Sequence, residues 1–189
     1  MEDSRAPGKT ISLETDRLIL RARRVSDAAV LRELWTERDP RVPPHRRIDS
    51  DGRPTVEDIE DQIRSSSREL NLLTVERKVF GDVIGYCGLI DTVRGSDGEP
   101  ELAFEFLRRT WRQGYATEAS WAVLHWAQSS GYRRLWATVR DWNGASRRVM
   151  AKLEFVETAR VERTKSTATC CSRQKNCDYG PRITGFEST

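Results

Sequence analysis

The chain has 189 residues, 37% hydrophobic and 32% charged, with six Trp; this length suits one medium domain around a single core, and the composition excludes a disordered or fibrous protein. The net charge is only +3, because acidic residues offset the Arg pairs at 23–24, 46–47, 108–109, 133–134 and 147–148 almost locally, so a nucleic-acid partner is not expected. No apolar run approaches the roughly 20 residues of a membrane span, and "MEDSRAPGKT" lacks a secretion-type apolar stretch, so the expectation is a cytoplasmic protein without a membrane partner.

In that compartment Cys87, Cys170, Cys171 and Cys177 read as reduced thiols. The last three lack paired C-x-x-C spacing and stand far from His45 and His125, so no metal is expected.

After a loose N-terminus (1–12), "RLILRAR" (17–23) alternates as a half-buried strand does. Ser26 and Asp27 offer an N-cap to a helix whose Val30, Leu31, Leu34 and Trp35 recur on one face. Residues 37–54 hold four of the seven Pro without periodicity, the mark of a long loop of the functional or mobile kind. Thr55 and Asp58 form a capping-box pattern before Val56, Ile59 and Ile63. Strands follow at 70–77 and 83–93, joined as a hairpin through "KVFGD". Another strand spans 101–107, and a helix then runs to about Ser130. A strand at 134–140, a helix from about Asn143 to Leu153 and a strand from Phe155 to about Val161 complete the regular part. The unit 101–140 is a crossover, which must be parallel and right-handed, so the sheet is mixed.

The junction between strand 101–107 and its helix reads "RRTWRQGYAT". The first N–H groups of a helix have no carbonyl partner within it, and Gly114 with small Ala116 opens close approach to them. The helix dipole favours an anion there. The spacing is neither G-x-G-x-x-G nor G-x-x-x-x-G-K-[ST], against a dinucleotide fold or a P-loop.

"WRQGYATEA" resembles the pyrophosphate-binding motif of the GNAT superfamily of N-acetyltransferases, in particular its Rim-type branch, whose members acetylate the N-termini of ribosomal proteins. "LETDRLILR" (13–21) is similar to that branch's opening strand, "VIGYCGLI" to its third strand, and "NGASRRVMAKLEF" (143–155) to its N-x-x-S helix with a Lys-Leu-Gly-Phe turn. The resemblance covers roughly 13–163. It implies an α/β (α+β) GNAT fold: a mixed sheet of six to seven strands, about four helices, and two splayed parallel strands forming an acetyl-CoA cleft. One domain would span 1–189, with an atypical C-terminal segment at about 164–189.

The same resemblance implies acetyl-CoA as cosubstrate and direct transfer of its acetyl group to an amine acceptor, a protein N-terminus or a small molecule. The pantetheine arm would lie along the main chain of Phe104, Glu105, Phe106 and Leu107. The pyrophosphate would meet the N–H groups of Arg112, Gln113, Gly114, Tyr115, Ala116 and Thr117. Asn143 would contact the cofactor's amide region and Ser146 lie near its sulfur. A base must deprotonate the amine, and Glu101 and Glu105 share one strand face as candidates, with Glu101 first. A backbone N–H near Phe104 or Glu105 would hold the developing oxyanion. A monomer or homodimer is expected.

Other polar residues read structurally. Glu118 complements the helix dipole, Tyr86 and Tyr115 serve as core tyrosines with polar handles, and Cys87 is a packed thiol. Three departures stand out. Trp111 occupies the place of the superfamily's usual Gln or Arg. Met150 stands where many relatives carry a Tyr general acid, leaving Ser146 or water to protonate the thiolate. Glu154 replaces the Gly of the turn, which strains it if that position has positive φ. After Val161 the alternation fades, so the tail reads as mobile, with "DYGPRIT" a candidate last strand. A non-catalytic acyl-CoA-binding module is the alternative function, and a nucleic-acid binder using the Arg pairs ranks last.

Overall fold

A computed structural model describes residues 11–65, 72–91, 99–163 and 169–176. Its sheet contains eight strands in the order β1-β2-β3-β4-β5-β6-β8-β7. The strands are β1 (Leu13–Glu14), β2 (Leu18–Arg21), β3 (Leu72–Arg77), β4 (Val83–Ile90), β5 (Glu101–Phe106), β6 (Arg134–Arg140), β7 (Val156–Arg163) and β8 (Thr169–Asn176). The helices are α1 (Ala28–Thr36), α2 (Val56–Ser65), α3 (Tyr115–Ser129) and α4 (Gly144–Lys152). Every neighbouring pair is antiparallel except β5 and β6, so the crossover through α3 supplies the single parallel junction.

Most expected elements fall in place. The capping box of α2 forms in both directions: Asp58 N–H donates to Thr55 Oγ1 (3.1 Å) and Thr55 N–H to Asp58 Oδ2 (2.9 Å). The expected cap of α1 does not form. Asp27 is instead buried, accepting from both terminal nitrogens of Arg21, from Arg24 N–H and from Thr74 Oγ1. Residues 13–21 form a small hairpin rather than one strand.

The tail differs from expectation. Thr169–Asn176 is a strand inserted between β6 and β7, pairing with both. Its sequence, TCCSRQKN, carries no apolar alternation; two partner ladders supply its main-chain hydrogen bonds, and such pairing leaves no trace in composition. "DYGPRIT" lies outside the described residues.

Side chains alternate across the sheet, and the two faces build two cores. Leu102, Phe106, Leu135, Ala137 and Val139 join Ala119, Val123 and Met150 in the cluster that contains α3 and α4 residues. Leu107, next to Phe106 in the chain, enters the other cluster with Leu31, Leu34 and Ile59 of α1 and α2, and Tyr86 packs there too. Each fully buried Leu contributes about 1.5–3 kcal/mol relative to exposure. Residues of β5 and β6 that point away from α3, namely Glu101, Ala103, Glu105, Trp136, Thr138 and Arg140, therefore face the α1–α2 side.

Candidate active site

The parallel strands part soon after they meet. β5 and β6 pair at Glu101 and Trp136, where Trp136 N–H donates to the Pro100 carbonyl at 3.0 Å. A parallel ladder would give the next N–H, that of Thr138, to the carbonyl of Leu102. Glu101 takes it instead: its Oε1 accepts from Thr138 N–H at 2.9 Å. A carboxylate thus stands as a wedge in the fork of the two strands.

Only alternate residues of β5 offer their main chain to that fork. Leu107 N–H donates to Ile84 of β4 at 2.9 Å, and a Cβ on Gly85 would lie 2.2 Å from the Glu105 carbonyl oxygen. Glu105 and Leu107 therefore turn their main chains to β4, leaving Phe104 and Phe106 on the β6 side. Of the four residues expected along the pantetheine arm, only these two turn their main chains toward β6, and the Phe106 carbonyl already accepts from the Trp111 indole Nε1 at 2.6 Å. Half-exposed Trp111 thus caps the open strand edge.

At the entrance to α3 the backbone turns sharply. Arg112 has φ 63° and Gly114, the residue before the helix, φ 85°. The first helical bond runs from Glu118 N–H to the Gly114 carbonyl, so Tyr115, Ala116 and Thr117 direct N–H groups outward without a helix carbonyl. A Cβ at Gly114 would come within 3.4 Å of Arg17 Nη2. Arg17 braces the loop: Nη1 donates to the Gln113 carbonyl (3.1 Å) and Nε to Glu118 Oε2 (2.7 Å), and the guanidinium lies 4.5 Å from the Tyr115 ring centroid. Glu118 does more than complement the dipole, since Thr15 Oγ1 donates to it at 2.6 Å. Burial opposes its ionisation, yet these bonds hold its carboxyl below the usual range. The C-terminal end of α1 reaches the same loop, with Glu33 paired to Arg109 and Glu37, just past the helix, accepting from Arg108 N–H.

On the β6 side, Asn143 caps α4 by accepting from Ser146 N–H at 3.1 Å, and Ser146 is half-buried. Met150 is 1% exposed and belongs to the core. Glu154 adopts φ 61°, the left-handed conformation for which the missing Gly is suited.

Glu105 is committed elsewhere. Arg38 grips it with Nε at 2.8 Å and Nη2 at 2.6 Å, and Tyr86 O–H donates to it at 2.9 Å. Arg38 is only 7% exposed. Burial, then the neighbouring Glu105 charge, raise the Tyr86 pKa above its ordinary range. Three donors from two side chains thus occupy the Glu105 carboxylate. Arg38 also stacks on Trp35 (4.1 Å) and donates through Nη1 to the Arg46 carbonyl (2.7 Å), while Arg41 stacks on Trp142 (4.2 Å). Residues 37–47 thus reach from α1 to the β6–α4 turn. Cys87 is a buried thiol whose pKa burial pushes up to about 12, in keeping with a packed core side chain.

Arg38 and Arg17 were not legible as site residues. Period two placed Tyr86 and Glu105 on strands, but their opposition depends on the register between β4 and β5, which side-chain alternation alone does not fix.

A mixed sheet parted at one parallel junction, with a donor-lined helix entrance beside the gap, is the architecture of an acyl-CoA-dependent transferase. The chain matches the Acetyltransferase (GNAT) domain family over residues 17–156, and it belongs to that family. It is an acetyl-CoA-dependent acyltransferase. It is 29% identical over 150 residues to the uncharacterised N-acetyltransferase p20 of Bacillus licheniformis, spanning 76% of this chain and 82% of that protein. The fold is similar to a GNAT-family acetyltransferase from Bacillus anthracis, with TM-score 0.73 and 18% identity, covering 89% of this chain and all of the other (100%). It is also similar to a ribosomal-protein-S5-alanine acetyltransferase from Vibrio fischeri, with TM-score 0.64 and 16% identity over 89% and 97% of the two chains. Among the described residues no helix is long and apolar enough to cross a membrane.

Proposed function

We propose that the chain transfers acetyl directly to a primary amine, a protein N-terminal α-amine or a small-molecule amine, with Glu101 as general base. The observation that carries this reading is the Glu101 carboxylate fixed in the strand fork by Thr138 N–H. It stands where a base could take a proton from an incoming amine, directly or through one water.

The residues around the fork suit acetyl-CoA. The N–H groups of Arg112, Gln113, Gly114, Tyr115, Ala116 and Thr117 would receive the pyrophosphate, with no side chain on Gly114 and the Arg17 guanidinium beside it. Phe104 and Phe106 would offer the strand edge to the pantetheine arm, and the Phe104 N–H would face the thioester oxygen. Asn143 would orient the cofactor's amide region, and the Ser146 hydroxyl would supply the proton to the departing sulfur. When bound, the cosubstrate contributes an activated thioester acyl group. The chain's residues orient it, take the amine proton and return one.

Buried Met150, where a Tyr acid would otherwise stand, favours a second reading: a module that binds acyl-CoA without turnover. Incubating the protein and labelled acetyl-CoA with lysate, followed by product mass spectrometry, separates the two. Labelled acetyl on an amine supports transfer; calorimetric acetyl-CoA binding with no labelled product supports the module.

A further inference from the structure

The α1–α2 side of the fork carries a donor set that the transfer chemistry does not use. Among the described residues, three buried N–H groups there have no hydrogen-bond partner: Arg47 Nε, Arg140 Nη1 and Trp142 Nε1. Arg140 extends from β6 on the same face as Glu101 and Thr138, and Trp142 follows two residues later in the turn to α4. Arg47 lies on the 37–54 loop, which Arg41 brings onto the Trp142 ring at 4.2 Å. All three groups are donors, and two belong to guanidinium ions. A buried donor without an acceptor is costly to the free protein, and that cost is relieved when a ligand oxygen arrives.

Among the described residues no carboxylate forms an ion pair with this set. Glu105 is bound by Arg38, and Asp39 is gripped by Arg41 at 2.7 Å. Asp141 accepts from the main-chain N–H of Trp142, and Glu101 is held in the fork by Thr138. Arg46 and Arg47 form no ion pair among the described residues, and Arg46 adds its charge beside Tyr86. A polyamine or other polycation would meet guanidinium groups here, whereas a carboxylate would meet matched donors.

We propose that the acceptor is an amine that carries a carboxylate on the same molecule, received by Arg140, Trp142 and Arg47 while its amino group faces Glu101. This rests on the acetyltransfer reading above. The carboxylate could come from a free amino acid or from an acidic peptide N-terminal segment; the shared recognition is one anionic oxygen pair beside a primary amine.

The test measures coenzyme A release by the full chain with matched acceptors: amino acids against their amides, peptides with acidic against amidated second residues, and spermidine. Carboxylate-bearing acceptors are expected to lead their neutral partners by about tenfold or more in kcat/KM, and whichever matched pair shows it identifies the source. Arg140→Gln should raise KM for the carboxylate acceptor about tenfold, and so should Trp142→Phe, which keeps a ring under Arg41 and deletes only the N–H. Without acceptor, Trp142→Phe should melt no lower than wild type, because it removes an unsatisfied donor; that distinguishes lost recognition from lost folding. Equal or better turnover of amides or spermidine would overturn this inference alone. Silence with every acceptor, while acetyl-CoA still binds in calorimetry, would overturn the transfer reading and this inference with it.

Discussion

Glu101→Gln separates two jobs that the wild-type side chain performs together. The carboxylate braces the fork by accepting from Thr138 N–H at 2.9 Å, and it is the proposed base. Gln keeps an acceptor oxygen at the same reach, so the brace persists while the proton acceptor is lost. A hydrogen bond to a charged acceptor contributes about 1.5–3 kcal/mol and a neutral one about 0.5–1.5, so the expected stability loss is about 1 kcal/mol, a fall of about 2–4 °C in Tm at this chain length. General-base catalysis contributes about a hundredfold to ten-thousandfold, and kcat should fall by that much with the calorimetric Kd for acetyl-CoA unchanged. Glu101→Ala, by contrast, strips Thr138 N–H of its acceptor and should lose acetyl-CoA affinity as well as turnover. Steady-state release of coenzyme A, monitored with a thiol reagent, reads both variants. A Gln variant with kcat within about threefold of wild type would refute the base assignment.

Gly114→Glu should abolish acetyl-CoA binding in calorimetry, because it places a carboxylate at a helix entrance proposed to receive a diphosphate, on a backbone of φ 85°; unchanged affinity in a folded variant would contradict the placement. Glu154→Gly should raise stability by about 1 kcal/mol in urea unfolding, since Glu154 sits at φ 61° and Gly adopts that conformation without steric cost; a loss would show that the side chain outweighs the strain. Glu118 carries a depressed pKa, so its contribution is complete above the ordinary carboxyl value of 4.5 and is lost as pH falls through the folded value. The urea-midpoint gap between wild type and Glu118→Gln should therefore shrink as the solution is acidified below that point, and a gap constant with pH would rule out the charge as its source.

Local signals in the chain located most elements, because they depend on near neighbours. The capping box at Thr55 and Asp58 closed as its spacing requires, and the bare Gly114 before α3 adopted the conformation its chemistry permits. The Gly-to-Glu departure at 154 falls on a turn residue at φ 61°. β8 gave no such signal, since its residues do not alternate in polarity and its pairing with β6 joins segments distant in sequence.

The division at the site has the same cause. By itself the sequence determined the family motif, the helix entrance and the shared face of Glu101 and Glu105, all properties of one segment at a time. Tertiary structure alone gave those two carboxylates different partners. Arg38, 67 residues earlier in the chain, claims Glu105, while Thr138, 37 residues later, leaves Glu101 fixed in the fork. A carboxylate's chemistry is set by the donors that surround it, and here those donors arrive from elements whose approach depends on sheet order and packing rather than on local spacing.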